Sequence, residues 1–291
     1  MPNFEGVFVS IPTFYNGRGE VAEAPLRDHL ARLADSGVDG LVALASAADP
    51  ALLTREEVRQ LVDLILEEAE GERVFVALPP ASTREAYALG RHVSDRGASG
   101  LLVCPPFGLP VTAAGFRAHV ETLAQLDAPL LLGSPPGSLL QDADVVTDLA
   151  SIEGVMGLVD LDPAHGVRPT DLRVGEGFSC FTNDEGLLAL PSVPEGGFCG
   201  LVSELANMAP ELLLQIQREG PSDEELRLLY DAVSALRTGP PGAALRHLLR
   251  TVEGIESGYR LPLLPLTAAE EERVEQLAAP LLRRVAETAE P

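Results

Sequence analysis

Three potential metal ligands lie close together in the middle of the chain. Asp160, Asp162 and His165 form the pattern D-x-D-x-x-H at the end of an apolar run. Two carboxylates and an imidazole can bind a divalent cation, which would polarise a carbonyl group or activate a water molecule. Such a run is also found in solvated acidic loops, and Asp162-Pro163 is typical of a turn. We therefore expect either a divalent metal site or an acidic loop here, and no other cofactor.

Polar side chains also follow other apolar runs, where they would line a pocket for a small molecule. They offer carboxylates, hydroxyls and an amide, and Arg168 is the only cation expected to hold an anion there. For Asn183 and Asp184 the alternative is capping of a helix, because their side chains can accept its free N–H groups. The predicted binding residues are Ser46, Asp49, Ser134, Asn183, Asp184 and Ser203.

The remaining reactive residue types give no recognisable catalytic set. Cys104, Cys180 and Cys199 lie far apart in apolar runs, without metal-ligand spacing, and are predicted to be buried, reduced thiols. Ser46 has no base beside it in sequence. The helical histidines are expected at a surface or an interface, and they are His29, His92, His119 and His247.

Short apolar strands alternate with helix-sized segments, and the pocket residues follow the strands. The strands are continuously apolar, as expected when both faces of a parallel sheet are covered. Eight such units predict an α/β fold, a (β/α)8 TIM barrel with its site at the carboxyl ends of the strands. A doubly wound sheet is the alternative, but no glycine-rich phosphate loop follows the first strand. The predicted strands are Gly6–Pro12, Val38–Ala45, Arg73–Leu78, Ala98–Cys104, Pro129–Leu132, Gly154–Val159, Gly177–Thr182 and Gly197–Ser203.

The last part of the chain is predicted to be wholly helical. We assign residues 1–220 to the barrel and 221–291 to a C-terminal helical extension that packs on it. Capping boxes, in which a hydroxyl and a carboxylate three residues apart satisfy the first N–H groups of a helix, support the helix starts. These boxes are Thr54 with Glu57, Ser82 with Glu85, and Ser222 with Glu225.

The composition excludes several classes of partner. The net charge is −23, from 21 cationic and 44 acidic residues, so the surface repels nucleic acid and anionic membranes. There is no apolar run long enough to span a bilayer and no signal-peptide pattern, so a cytoplasmic protein is the expectation. GC-rich codon usage and adaptation to a saline cytoplasm are both compatible with such an acidic chain.

Several motifs resemble those of the dihydrodipicolinate synthase/N-acetylneuraminate lyase family. They are Asn183–Glu185, the G-x-x-G-x-x-S run Gly197–Ser203, Asn207 followed by Pro210, and the segment RLPLLPLT. The opening GVFVSIPTFYNGRGEV is also similar to that family's start, so the resemblance covers nearly the whole chain. It implies a (β/α)8 barrel with a helical C-terminal extension, assembled as a homo-oligomer, either a dimer or a tetramer. It also implies aldol chemistry on pyruvate held as an imine of a lysine in strand six.

This sequence departs from the family at each position that the resemblance assigns to catalysis. The chain contains no lysine, and an imine requires a primary amine. The family's G-T-T-G-E loop falls at Ala45–Asp49. The lysine, the first tyrosine, the relay threonine, the second tyrosine and the arginine correspond here to Val159, Gly133, Ala47, Phe107 and Ser138.

Three hypotheses about function follow. The first is a barrel without pyruvate Schiff-base activity, whose mouth, enlarged by small residues, binds a small molecule. The second is a repurposed lyase, aldolase or hydratase that uses a metal at Asp160, Asp162 and His165. The third is a structural partner of an active paralogue in a mixed tetramer.

Overall fold

Eight parallel strands close into a barrel in a computed structural model that describes residues 4–69, 73–79, 81–106, 109–162, 164–185 and 197–289. Each strand pairs with the next one in sequence, and β8 pairs with β1. This confirms the predicted (β/α)8 fold. The strands are β1 Gly6–Ser10, β2 Gly40–Ala43, β3 Val74–Leu78, β4 Gly100–Val103, β5 Leu130–Ser134, β6 Val155–Asp160, β7 Ser179–Thr182 and β8 Gly200–Ser203.

Helices surround the barrel and form the C-terminal extension. The described part of the segment after β6 contains a short 3-10 turn, Pro169–Asp171, and no α-helix. A helix capped by Asn183 or Asp184, the alternative role predicted for these two residues, would lie mainly outside the described residues. The described α-helices are α1 Glu23–Ser36, α2 Arg55–Glu68, α3 Thr83–Asp95, α4 Ala113–Leu123, α5 Ala143–Leu149, α6 Pro210–Glu219, α7 Asp223–Leu236, α8 Ala243–Glu253 and α9 Ala268–Ala289.

Hydroxyl side chains cap several of these helices. The complete capping boxes at Thr54 and Ser222 are confirmed. At Ser82 the hydroxyl accepts the N–H of Glu85, which is one half of the predicted box.

Among the described residues, no helix is both long and apolar enough to cross a membrane.

The lowest inward-facing layer of the barrel alternates large side chains with glycines. Phe8 on β1 lies beside Gly40 on β2, where an added Cβ would be 2.4 Å from the phenyl ring. Because eight full side chains cannot share one level of the barrel, glycine supplies the space. The same arrangement recurs at Phe75 with Gly100, Leu131 with Gly157, and Phe181 with Gly200.

A second apolar layer lies above the first. Two residues beyond each glycine, the next inward-facing position of an even-numbered strand carries an aliphatic side chain, because side chains in a strand alternate between faces. The cavity enclosed between the two layers has a volume of only about 10 Å³, at the lower limit of what a water molecule requires. The second layer consists of Val42, Leu102, Val159 and Val202.

A buried polar junction joins the barrel to the outer helices. The Nδ2 group of Asn207 donates to the carbonyl oxygens of Ser10 and Glu204, each at 2.8 Å. Its Oδ1 atom is 2.9 Å from Nε2 of His29, and Nδ1 of that ring is 2.9 Å from a carboxylate oxygen of Glu253. His29 is fully buried, so the prediction that it lies at a surface or interface is wrong.

Other predicted exposures also need correction. His247 is buried on α8, where its Nε2 atom lies 3.0 Å from a carboxylate oxygen of Glu275. All three cysteines are free thiols, but only Cys180 is fully buried, while Cys104 and Cys199 are partly buried. Neighbouring helices therefore bury the histidine, and two of the three cysteine residues are less completely buried than the apolar runs predict.

Two arginines of the C-terminal extension contact loops at the carboxyl end of the barrel. Arg246 donates to the carbonyl oxygen of Thr13 at 3.1 Å and forms a buried ion pair with Asp49. Arg260 donates to the carbonyl oxygen of Gly19 at 2.7 Å and pairs with Glu57 at 2.6 Å. These contacts hold the extension over the mouth of the barrel.

We expect Asn207→Ala to lower the free energy of unfolding by about 3 kcal/mol, because it leaves several buried polar groups without partners. Urea denaturation followed by circular dichroism measures the change. Gln125→Ala is the control, since it removes an exposed amide and should cost about 0.5 kcal/mol or less. Equal effects of the two substitutions would contradict the proposed role of the junction.

Candidate functional site at the barrel mouth

The mouth opens above the second apolar layer because the next inward-facing positions carry small or polar side chains. Continuing two residues along the odd-numbered strands leads from the large residues of the lowest layer to Ser10, Ala77, Gly133 and Asn183. Of these, Ser10, Ala77 and Asn183 line a cavity of about 370 Å³. The alternation of side-chain size along the strands thus produces an empty space directly above a closed floor.

The wall of this cavity has an apolar part and a polar part. Ala77 and Leu78 of β3, with Leu102 and Cys104 of β4 and its following loop, supply an apolar wall. The polar groups come largely from β7, β8 and β1, which are neighbours in the barrel. They are Ser10, Asn183, Glu185 and Glu204, with Ser46 and Arg237 from the loops after β2 and α7.

Two hydroxyl groups bond carboxylates in the mouth. Ser203 donates to Oε1 of Glu185 at 2.6 Å, and Ser46 donates to Oε1 of Glu204 at 2.7 Å. Burial, with a smaller contribution from the nearby carboxylates of Asp184 and Glu204, raises the pKa of Glu185 to about 7, against the hydrogen bond from Ser203. Glu185 is therefore a carboxyl group that can exchange a proton near neutral pH.

The pKa of Glu204 is also raised. Burial is the main cause, and the negative charge of Asp49 adds to it. The hydrogen bond from Ser46 and the positive charges of Arg246 and Arg237 oppose the shift. The mouth therefore holds two desolvated carboxyl groups whose ionised forms are disfavoured by their surroundings.

Two polar atoms in the cavity wall have no hydrogen-bond partner among the described residues. Ser10, only 2% exposed, carries an unpartnered Oγ atom, and the Oδ1 atom of Asn183 is likewise buried and unpartnered. The Nδ2 group of Asn183 donates weakly to the carbonyl oxygen of Leu161, at 3.4 Å. Because nearly all buried polar groups in proteins are hydrogen-bonded, this part of the wall can accept hydrogen bonds from an additional polar species.

The predicted binding residues occupy different surroundings. Ser46 and Asn183 line the cavity, whereas Asp49 is buried in its ion pair with Arg246. Ser134 is fully buried, with its hydroxyl 3.4 Å from that of Ser138. Ser203 is buried against Glu185. Asp184 does not line the cavity, and its backbone N–H donates to Oγ1 of Thr182 at 3.1 Å.

The predicted metal ligands are engaged in other contacts. Oδ1 of the buried Asp160 accepts the N–H of Asp162 at 3.1 Å. Oδ2 of Asp162 accepts a hydrogen bond from Gln141 at 2.7 Å and lies 3.3 Å from Nδ1 of the exposed His165. The described ranges contain no group of three His, Cys, Asp or Glu side chains that could hold a metal ion. The metal site stays a prediction, without support from this geometry.

The positions that the resemblance assigns to catalysis carry little polar chemistry. Val159 is 1% exposed in the second apolar layer. At Gly133 an added Cβ would be 2.4 Å from the sulfur of Cys104, which occupies the space beside the glycine. Ala47 is buried, and the hydroxyl of Ser138 accepts the N–H of Leu140 at 3.2 Å. Phe107 lies outside the described residues.

Arg237 is the main site residue that sequence reasoning missed. The sequence prediction named Arg168 as the only anion-binding cation of the pocket, but Arg168 is exposed and does not line the cavity. Arg237 does, together with Val233 and Leu236 of α7. Helical spacing places residues 233 and 237 on one face. An arginine at the end of an apolar stripe was therefore the sequence feature that could have predicted this residue of the site.

The match to known proteins assigns the family. A model of the dihydrodipicolinate synthetase family matches residues 3–280. The chain belongs to this family. It is 28% identical to the 4-hydroxy-tetrahydrodipicolinate synthase of Methanothermobacter thermautotrophicus, over 80% of this chain and 86% of that protein. It is 29% identical to the enzyme of the same name from Salinibacter ruber, over 90% of each.

Solved structures share the fold at lower identity. The 4-hydroxy-tetrahydrodipicolinate synthase of Methylacidiphilum fumariolicum SolV superposes with a TM-score of 0.85 at 22% identity, covering 98% of this chain and 99% of that one. CdNal from Clostridium difficile, solved in complex with mannosamine, gives 0.85 at 16% identity, covering 96% and 99%. The dihydrodipicolinate synthetase barrel is thus preserved over nearly the whole chain.

We expect Glu185→Gln to stabilise the protein more at pH 8 than at pH 5. Because the pKa rises from 4.5 to about 7 on folding, the stability associated with the neutral carboxyl is full below pH 4.5 and is lost as the pH rises through 7. Glutamine cannot ionise and still accepts the hydrogen bond from Ser203. The difference at pH 8 should approach about 3 kcal/mol.

Melting temperatures at the two pH values test this expectation. Glu256→Gln, at an exposed position, is the matched control and should change little. A stability change in Glu185→Gln that is the same at both pH values would show that ionisation of this carboxyl does not oppose folding.

Proposed function

We propose that the protein binds a small molecule at the mouth of its barrel and does not form an imine with pyruvate. The observation that carries this proposal is the absence of lysine from the chain, with Val159 at the corresponding position of β6. A secondary or tertiary nitrogen in a side chain cannot replace the primary amine that a Schiff base requires.

The packing around Val159 supports the proposal. Its side chain belongs to the apolar floor and does not line the cavity above. Gly133 and Ala47, which correspond to the tyrosine and threonine of the proton relay, carry no hydroxyl group. An imine mechanism at these positions would therefore lack both the lysine amine that acts as its nucleophile and the two hydroxyl groups that transfer protons.

The open cavity favours binding over a purely structural role. About 370 Å³ is enough to enclose a small ligand, and the wall presents both apolar and polar groups. A subunit that served only to complete a mixed tetramer would need no such space. The metal-assisted alternative has less support, because Asp160 is buried against the backbone of its own loop.

Self-association and a cytoplasmic location complete the proposal. Leu261 and Leu264, in the segment RLPLLPLT, are 76% and 59% exposed, and large exposed apolar side chains in one segment are typical of interfaces. We therefore propose a homo-oligomer, a dimer or a tetramer, which analytical ultracentrifugation would measure. The predicted cytoplasmic location rests on the sequence.

Borohydride trapping tests the chemical part of this proposal. After incubation with pyruvate and borohydride, peptide mass spectrometry should find no side chain modified, because no side chain offers a primary amine. The synthase of Methanothermobacter thermautotrophicus serves as the positive control. Side-chain adducts, or synthase activity above that of buffer in a coupled assay, would refute the proposal.

A further inference from the structure

The acceptor atoms of the mouth are concentrated on one side. Glu204 follows β8, and the strands on either side of β8 carry the unpartnered atoms, Ser10 Oγ on β1 and Asn183 Oδ1 after β7. Glu185 adds a second carboxyl group on the same side. This cluster accepts hydrogen bonds far more readily than it donates them, so its natural complement carries several N–H or O–H groups.

The electrostatics favour a positive complement over a neutral one. Both carboxyl groups lie in surroundings that raise their pKa, and a cation placed between them would stabilise their ionised forms. Arg246 is already paired with Asp49. Among the described residues that line the cavity, Arg237 is the one with a guanidinium, and it is exposed at the rim.

The opposite wall suits a carbon skeleton. The apolar surface of this wall continues at Leu44, which follows β2, and at Leu161, which follows β6. The wall itself is formed by Ala77, Leu78, Leu102 and Cys104. A ligand with a charged amino group at one end and a short carbon chain at the other would match the two walls. A small carboxylate would instead face two carboxyl groups inside a chain of net charge −23.

We infer that the mouth binds a small organic ammonium ion, whose N–H groups are accepted near β7, β8 and β1 and whose carbon chain packs against β3 and β4. The inference rests on the proposed function, because it names the class of ligand for the same cavity. Ser10 Oγ and Asn183 Oδ1 would gain the partners they lack, and Glu204 would supply the compensating charge.

Three probes of similar size test the inference: butylamine, 1-butanol and butyrate, each at millimolar concentration in calorimetry and thermal-shift measurements. Butylamine should bind and raise the melting temperature by mass action, while the alcohol and the acid should bind about tenfold more weakly or not at all. Preferential binding of butyrate that is lost in Arg237→Gln would overturn the inference and identify an anion site. Binding of none of the three would also overturn it.

Two variants separate recognition from folding. Glu204→Gln should weaken butylamine binding about tenfold, because it removes the charge and preserves the shape; Glu256→Gln, which is exposed, should not. Ser10→Ala should raise the melting temperature of the free protein, since it deletes an unpartnered buried hydroxyl, and yet weaken amine binding. Unchanged amine affinity in both variants would refute the inference.

The proposed function fails on a different result. Trapping of a pyruvate imine or synthase activity would remove it regardless of how the amine binds. Absence of trapping together with preference for butyrate would leave a non-imine binding protein and discard only the ammonium ligand.

Discussion

Space inside a closed barrel of eight strands admits only about four full side chains at each level, and this steric limit organises the molecule from floor to mouth. The lowest layer meets it by placing Phe8, Phe75 and Phe181 beside glycines of the neighbouring strands. The next layer reverses the pattern, so that the even-numbered strands carry the larger side chains. Everything above depends on these two layers, because they close the barrel and fix which residues face the opening.

The alternation of large and small side chains determines the shape of the mouth, and polar residues at the ends of β7, β8 and β1 and in nearby loops determine its polarity. Small residues at the next level create the space of the cavity. Asn207 holds the backbone of Glu204 beside that of β1 by donating to the carbonyl oxygens of Glu204 and Ser10. The extension then contacts the loops through Arg246 and brings α7 across the opening. A pocket built mainly by strands is therefore completed by a helix from the other end of the chain.

The sequence predicted the barrel because its signals are local. Continuous apolar runs, capping boxes and turn residues each report on a few adjacent positions, and they placed every strand near its observed position. Strand ends were less accurate, since the apolar run of the first strand continues past Ser10, where β1 ends, to Ile11, which still donates to the carbonyl oxygen of Val42 at 3.0 Å. The layers could also have been predicted from the sequence, because each of the glycines at 40, 100, 157 and 200 lies two residues before an aliphatic residue.

The site was harder to predict because its members are distant in sequence. Ser46 and Glu204 are 158 residues apart, and no local pattern indicates their hydrogen bond. The burial of His29 depends on α8, and the position of Arg237 depends on how α7 crosses the barrel. Conversely, Asp160, Asp162 and His165 are close in sequence, but the Asp160 carboxylate accepts the backbone N–H of Asp162, and the Asp162 carboxylate accepts a hydrogen bond from Gln141. Proximity along the chain was a poor guide to the direction in which side chains point.

Valine at position 159 fits the barrel without any adjustment of its scaffold. A lysine there must carry its ammonium through an apolar layer to the cavity, and desolvating that charge is unfavourable unless a partner compensates it. Valine contributes instead about 1.5 kcal/mol or more from burial of its side chain. We propose that, without that amine, the mouth does not hold a carboxylate substrate covalently. The carboxyl groups of Glu185 and Glu204, whose pKa values are raised, would also oppose an anionic ligand, so in this proposal the absence of lysine and the acidity of the mouth act in the same direction.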